Sequence, residues 1–543
     1  MATSRFKQPY FGLRGGWLTF WITVACSTDM SLFGYDQGVF SGVVISDDYL
    51  AVHNLAGKTN LSSIITSIYA IGCTLGAIVA FTVGERMGRR KTILVGTTIM
   101  AIGAILQASS FSVPHMMVGR IVSGIGNGVN TATAPVWQTE TSSMKWRGKL
   151  VVLEMAMNIF GYMTVNWINY GLSFAGGAIA WRLPLALQMV FILVLYATVP
   201  WLPESPRWLI AHGRLEDAVQ ILADIDDRAV DDPYIVAERK EIVYSVQYEI
   251  ENAVRWRDLL RGRTHKGTKT IRRLVLGAAS QGLQQFGGIN VMSYYMPTLL
   301  ITSVGLTNSM ARLITACAAI AYLFASIAAA PLVERFGRRI MMVVSTTIQF
   351  FCFLLMTVLL YFNEKAGYAH ASAVAKASVP FFFIYLMGFG LGMLGIPWLY
   401  PTEINSLPMR TKGAAVATAM DWLTNFIVVE ITPVGITNLG WRFYIIFTVL
   451  NAAFLPILYL FFPETSDRTL EDLDAFYRED PPLIVVGHHD STCRRRPARF
   501  AAMQDRDIHE AEGTLRDGDI HEVGGTMRRN SAKLSDEKEN LSA

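Results

Sequence analysis

The chain is built from long apolar runs separated by short polar interruptions. Apolar runs fall at 17–40, 61–83, 92–111, 114–138, 149–172, 183–202, 272–302, 311–333, 340–362, 378–402, 412–434 and 442–463. A tilted helix needs about 20 residues to cross a bilayer core, and each run meets that length. The pattern therefore predicts twelve spanning helices, with glycines where helices approach closely. It divides the chain into a leader at 1–16, a six-helix half at 17–202, a linker at 203–271, a second six-helix half at 272–463 and a tail at 464–543. In the linker, Leu215, Ala218, Val219, Ile221 and Leu222 have helical spacing, which predicts short amphipathic helices. From about Pro481 the tail turns polar. It carries Arg494-Arg495-Arg496 and a repeated Asp-Ile-His-Glu at 507–510 and 519–522. That composition predicts disorder, with the histidines solvated rather than bound to metal.

Composition agrees with the pattern. Of 543 residues, 52% are hydrophobic and 17% charged, against about 25% charged in soluble chains. Mean hydropathy is +0.34. These values describe a polytopic membrane protein. Cys26, Cys73, Cys317, Cys352 and Cys493 show no CxxC spacing, so neither a disulfide framework nor a metal site is expected. No small-residue cleavage site follows the first run, which is expected to act as its own uncleaved signal.

Basic residues set the expected orientation. The loops Gly84-Glu85-Arg86-Met87-Gly88-Arg89-Arg90 and Val333-Glu334-Arg335-Phe336-Gly337-Arg338-Arg339, the linker and the tail share one side. The positive-inside rule makes that side cytoplasmic, with both termini inside. The 41–60 loop then faces out and ends in the sequon Asn60-Leu61-Ser62, a candidate glycosylation site beside the membrane.

The two halves repeat. The two basic loops match each other. Pro135-Val136-Trp137 with Glu140 and Arg147 matches Pro397-Trp398-Leu399 with Glu403 and Arg410. Pro203-Glu204-Ser205 matches Pro463-Glu464-Thr465, and Trp181-Arg182 matches Trp441-Arg442. Four matches in one order indicate parallel pseudosymmetric repeats.

Asp36 lies in the first apolar run, at bilayer depth. A charge there costs roughly 2.5 kcal/mol or more, so it must face protein or water rather than lipid.

These residues resemble the sugar porter branch of the major facilitator superfamily. The matched set is Gly34-Tyr35-Asp36, Gly88-Arg89-Arg90, Arg120 with Gly124, Gly126 and Gly128, the Pro135 and Pro203 motifs, Gln284-Gln285 with Gly288, Asn290 and Tyr294-Tyr295, and Pro463-Glu464-Thr465. Pro135-Val136-Trp137-Gln138-Thr139-Glu140 and Leu150-Val151-Val152-Leu153-Glu154 look like fungal members, including glycerol–proton symporters. The resemblance implies an all-α membrane fold, the major facilitator fold, and transport of a sugar or polyol.

It also implies roles. Glu140, Arg147, Glu204, Arg207, Glu403, Arg410 and Glu464, with Glu85, Arg89, Arg90, Glu334, Arg338 and Arg339 of the loops, form a cytoplasmic gate. Acids and arginines beside helix ends can pair with each other and with the open backbone groups there. Spans 1 and 4 meet in this fold, which makes Asp36 the partner of Arg120. Pairing favours the carboxylate, and separation in a dry site favours the acid, so one side chain with two environments couples a proton to movement. Gln284, Gln285 and Asn290 of span 7 bind hydroxyls, since amides both donate and accept. Trp398 stacks on the substrate, and Tyr294 and Tyr295 close over the site from outside.

Two positions depart from the family. Met155 stands where span 5 usually places a glutamine, next to Glu154. Glu154, Asn158, Tyr162 and Asn166 form a stripe on one helix face. Asp421 stands where span 11 commonly has an amide, followed by Asn425. Glu154 and Asp421 are open to three readings: binding hydroxyls, favouring a cationic substrate, or pairing with a neighbour.

The expected function is proton-coupled symport of a sugar or polyol by alternating access. The alternatives are an uncoupled facilitator and a transport-dead nutrient sensor. No Gly-x-x-x-x-Gly-Lys loop and no nucleophile–base set is present, so neither ATP-driven transport nor an enzyme is indicated. The expected partners are a small-molecule sugar or polyol, the proton and the bilayer, with no nucleic acid and no cofactor. A monomer in the fungal plasma membrane is the expected form.

Overall fold

A computed structural model describes residues 10–142, 147–252, 257, 259, 269–365, 368–468 and 470–494. Every predicted run is helical. Spans 1 to 5 are Gly15–Val43, Thr59–Met87, Arg89–Ala108, Val113–Glu140 and Arg147–Ser173. Span 6 is broken into Ile179–Ala186, Gln188–Thr198 and a 3-10 turn at Val199–Trp201. Span 7 is Thr270–Phe286 and Ile289–Thr302, and spans 8 and 9 are Asn308–Phe336 and Arg338–Glu364. Span 10 comprises Ala371–Ala377, Val379–Gly392 and Ile396–Ile404, and spans 11 and 12 are Arg410–Leu439 and Arg442–Phe461. Span 1 thus begins inside the stretch assigned to the leader.

Among the described residues, nine of these segments are long and apolar enough to cross a membrane by length and composition alone. The other three are spans 1, 4 and 7. They carry many of the buried polar side chains: Asp29 and Asp36, Arg120 and Asn130, and Gln284, Gln285 and Asn290. The least apolar spans therefore mark the interior of the bundle.

Packing follows the repeat. Within the first half, span 4 packs on spans 2 and 3, and span 1 on span 5; within the second, span 10 packs on spans 8 and 9, and span 7 on span 11. Across the halves, span 2 lies against span 11 and span 5 against span 8. Shifting each number by six exchanges those two contacts, as a pseudo-twofold axis requires.

The linker forms helices at Pro206–Ala211, Leu215–Asp226 and Pro233–Glu251. Ala218, Val219, Ile221 and Leu222 are buried, whereas Leu215 is exposed at the helix start. Tyr10 donates to Asp224 at 2.6 Å, and Arg14 pairs with the same acid at 3.2 Å, so the linker holds the entry to span 1.

The tail differs from the expectation of disorder beginning near Pro481. Residues 481–494 pack beneath the second half, with Val485 and Ser491 fully buried. Arg272 donates to the carbonyls of Pro481 and Pro482, each at 2.8 Å, and the Val485 N–H reaches Leu460 O at 2.8 Å. Composition missed this because backbone carbonyls, not apolar side chains, supply most of the attachment. The Asp-Ile-His-Glu repeats lie outside the described residues.

Candidate functional site

Span 7 is interrupted because Gly288 adopts φ +96°, a left-handed conformation that side chains resist. A Cβ there would also meet the Phe353 ring at 2.7 Å. The carbonyl of Gly287, released by the break, accepts from Tyr385 Oη at 2.9 Å and Asn451 Nδ2 at 3.1 Å. The break turns the amides on either side of it toward span 11.

Those amides form one chain of hydrogen bonds. Gln285 Nε2 donates to Asp421 Oδ1 at 2.6 Å, Asn290 Nδ2 to Gln285 Oε1 at 2.5 Å, and Asn425 Nδ2 to Asn290 Oδ1 at 3.2 Å. An ionised carboxylate only accepts. Asp421 therefore fixes the direction of every amide after it, and Asn425 Oδ1 is left as a terminal acceptor with no partner. Gln284 Nε2 donates to Met393 O at 2.6 Å and Leu394 O at 3.0 Å, holding the break in span 10. Its Oε1, Gln281 Oε1 and the Trp422 N–H are also buried and unpartnered. Such atoms cost about 1–3 kcal/mol each unless something fills their valence. Trp398 is half-buried on the last helix of span 10 and packs on the core.

Asp36 and Arg120 are both fully buried and 3.6 Å apart. The guanidinium lies 4.0 Å from the Phe40 ring centre and 4.3 Å from that of Tyr69, and donates to Thr66 O at 3.2 Å. The carboxylate has no hydrogen bond from Arg120, so the pair is held by charge rather than by a fork.

The span 5 stripe faces mainly span 1. Asn158 Nδ2 donates to Met30 O at 3.5 Å, Asn166 Oδ1 accepts from Ser41 at 3.1 Å, and Glu154 adjoins Cys26 and Asp29. Tyr162 alone reaches across the halves, donating to Ser293 O at 3.1 Å. Glu154 and Asn158 are thus set apart from the amide chain that gathers Gln285, Asn290, Asp421 and Asn425. The first span also holds a second acid, Asp29, so Asp36 is not the lone charge of its apolar run. Asp29 precedes Asp36 by two helical turns, a spacing that puts both on one face.

At the end of the bundle that carries the 41–60 loop, the two halves meet. Tyr294 and Tyr295 are buried, and Tyr295 Oη donates to Val429 O at 3.2 Å. Glu430 accepts from Ser63 at 3.2 Å and Ser67 at 2.5 Å, joining span 11 to span 2. Asn60 is exposed in the first turn of span 2 and lines a cleft of about 450 Å³ with Val434 and Asn438.

The opposite ends carry two matching pins. Glu204 Oε1 accepts from the backbone of Arg89 at 2.9 Å and Ser205 at 3.0 Å. Glu464 accepts from the backbone of Arg338 at 2.9 Å, Arg339 at 3.1 Å, Thr465 at 3.0 Å and Ser466 at 2.9 Å. Burial pushes the Glu204 carboxyl up, and the N–H groups of Ser205, Arg89 and Arg90 oppose that. Beside the pins, Arg89 forks onto Glu140 at 2.9 and 3.1 Å, and Arg338 meets Glu403 at 2.9 Å. Arg90 donates to Leu202 O and Arg339 to Tyr459 O. Arg207 pairs with Glu249 of the linker at 2.6 Å, a partner the repeat does not reveal. Glu334 lies near Arg338, Glu85 near Lys412, and Arg410 opens span 11. The Arg147 side chain lies outside the described residues.

Comparison with known proteins gives the family. The family model described as sugar (and other) transporter matches residues 21–477. The MFS-type transporter oryC of Aspergillus oryzae is 62% identical over 94% of each chain. The sugar transporter STL1 of Saccharomyces cerevisiae is 34% identical over 87% of this chain and 83% of its own. The solved proton:xylose symporter XylE, bound to 6-bromo-6-deoxy-D-glucose, superposes with a TM-score of 0.70 at 25% identity, covering 84% of this chain and 99% of that one. The chain is a multi-pass membrane transporter and belongs to the sugar (and other) transporter family of the major facilitator superfamily.

Proposed function

We propose that this protein is a proton-coupled symporter of a neutral sugar or polyol. The observation that carries the reading is the amide chain ending on Asn425 Oδ1, with Gln281 Oε1 and Gln284 Oε1 of span 7 and the Trp422 N–H of span 11 also buried and unpartnered. Hydroxyl groups both donate and accept, so a polyhydroxyl solute satisfies that mixed set. Phe33 and Tyr69 pack edge-on to Trp422 at 5.6 and 6.3 Å and supply the apolar surface for C–H faces. The amides select shape, and Asp421 keeps them pointing one way.

Coupling falls to Asp36. Arg120 beside it favours the carboxylate form; a proton on Asp36 releases Arg120 and lets the halves rock. The xylose–proton symporter of similar fold supports this reading, and the resemblance to sugar transporters supports the solute class.

The test is uptake by the purified full chain in proteoliposomes under an imposed inward proton gradient. The panel covers hexoses, xylose and other pentoses, disaccharides and glycerol at two external pH values. Accumulation above the equilibrium level, with alkalinisation of the medium, is expected for at least one solute. Gradient-independent equilibration of a solute would establish a facilitator instead, and no uptake of any solute would leave the sensor reading.

A further inference from the structure

Asp29 and Glu154 are 2% and 0% exposed. Asp29 Oδ1 accepts from Asn130 Nδ2 at 2.7 Å; Asp29 Oδ2 and both Glu154 oxygens have no hydrogen-bond partner. The register of spans 1 and 5 brings the two acids together. Ser31 Oγ reaches Met157 O at 3.0 Å, Asn158 reaches Met30 O, Ser41 reaches Asn166, and Asn169 reaches Val39 O at 3.2 Å. Continued one turn toward the start of each helix, that alignment sets Glu154 beside Cys26 and Asp29, with which it interacts. The helices approach closely because Gly34 has no Cβ to meet the Asn158 carbonyl.

The titratable groups facing this position are Cys26 and Asp29 from span 1 and Glu154 from span 5. Span 4 contributes the neutral Asn130 and the Ala134 carbonyl, and span 3 contributes Thr97, which accepts from Asn130 at 3.2 Å. No lysine or arginine among the described residues faces either acid. Two adjacent carboxyls in a dry site with no cation cannot both ionise, and a shared proton relieves the repulsion.

We propose that Asp29 and Glu154 form a second proton-binding site, a carboxyl–carboxylate pair that shares one proton. It lies seven residues, about 10 Å along the helix, from Asp36. It sits toward the end of the bundle that carries the Arg89–Glu140 pair. A proton leaving Asp36 on that side passes this pair. The passage role rests on the symport reading; the shared proton does not.

Two measurements test it on the full chain. The first is infrared difference spectroscopy of the carboxyl stretch during pH titration, comparing wild type, Asp29→Asn, Glu154→Gln and Asp36→Asn. Coupled acids titrate in two steps. Wild type and Asp36→Asn are expected to show a two-step component that either pair variant reduces to one step. A single-step component in wild type, or two steps surviving in both pair variants, overturns the site. The second compares proton-driven accumulation with exchange of labelled solute at equal concentrations on both sides. Asp29→Asn is expected to lose accumulation while retaining exchange, which also shows that it folds. Full accumulation by Asp29→Asn and by Glu154→Gln overturns the passage role. If wild type itself fails to accumulate solute, the symport reading falls, and the infrared titration still decides the shared proton.

Discussion

Replacing Asp36 with asparagine strands a guanidinium that has no exposure to solvent. At 3.6 Å and an effective dielectric of about 20, the lost attraction is about 5 kcal/mol. Some support remains. The Thr66 carbonyl still accepts, and the Phe40 and Tyr69 faces each contribute about 0.5–2 kcal/mol to a desolvated cation. Those contacts are the same before and after the change, so the net penalty stays at about 3–5 kcal/mol, the range for breaking a buried pair. The reverse change is milder. In Arg120→Met the volume is nearly kept, and the stranded carboxyl neutralises itself by binding a proton, which a guanidinium cannot match by losing one. Thermal unfolding in detergent, followed by a thiol-reactive fluorophore, reads this order, because Cys26, Cys73 and Cys352 are buried until the bundle opens. Asp36→Asn is expected to melt lowest, Arg120→Met higher, and the double variant above Asp36→Asn. Asp36→Asn is also expected to lose accumulation against a gradient while keeping some exchange. An Arg120→Met midpoint below that of Asp36→Asn would refute the electrostatic reasoning, and retained accumulation by Asp36→Asn would refute the coupling role.

Three further outcomes follow from the geometry. Glu204→Gln and Glu464→Gln each turn an amide donor toward backbone N–H groups, so each is expected to cost at least about 2 kcal/mol in thermal unfolding, with similar effects in the two halves. Gly288→Ala forces a side chain into φ +96° against Phe353; it is expected to lower stability by about 1–3 kcal/mol and to reduce transport, read from melting and initial uptake rates. Asp421→Asn frees the amide chain to reverse, and its apparent solute affinity in exchange assays is expected to fall about tenfold, equivalent to about 1.4 kcal/mol.

Much of this was legible in the chain. The pattern of apolar runs located all twelve spans, three of them too polar to qualify by length and composition alone, and paired motifs gave the repeat, because a bilayer and an internal duplication both write themselves into local sequence. The Glu204 and Glu464 motifs were visible as well, but not what they bind: their partners are backbone N–H groups, which have no sequence signature. Side-chain direction was the other blind point. Glu154 and Asn158 share a polar stripe with Tyr162, yet only Tyr162 crosses to span 7, since most of that stripe packs on span 1. Asp29 was overlooked beside Asp36, although a spacing of seven on a helix places two acids on one face. Arg207–Glu249 joins a repeated motif to an unrepeated linker, so internal comparison had nothing to match it with.

The two carboxylate pins fasten helices within a half, not between halves. Glu204 ties the start of span 3 to the chain leaving span 6, and Glu464 ties the start of span 9 to the chain leaving span 12. Each half therefore behaves as a stiff lever. The described polar contacts that cross the seam between the halves on the Glu430 side are small by comparison: two serine hydroxyls on Glu430, Tyr162 on Ser293 O, Asn308 on Ile45 O and Arg312 on Asn169 O. Each is worth about 1 kcal/mol, or up to about 3 where a charge takes part. A machine with rigid arms and a lightly latched seam loses little of its driving force to bending. Its turnover is then governed by how fast the latch lets go, and mutations that tune speed without touching the solute should concentrate at Ser63, Ser67 and Glu430.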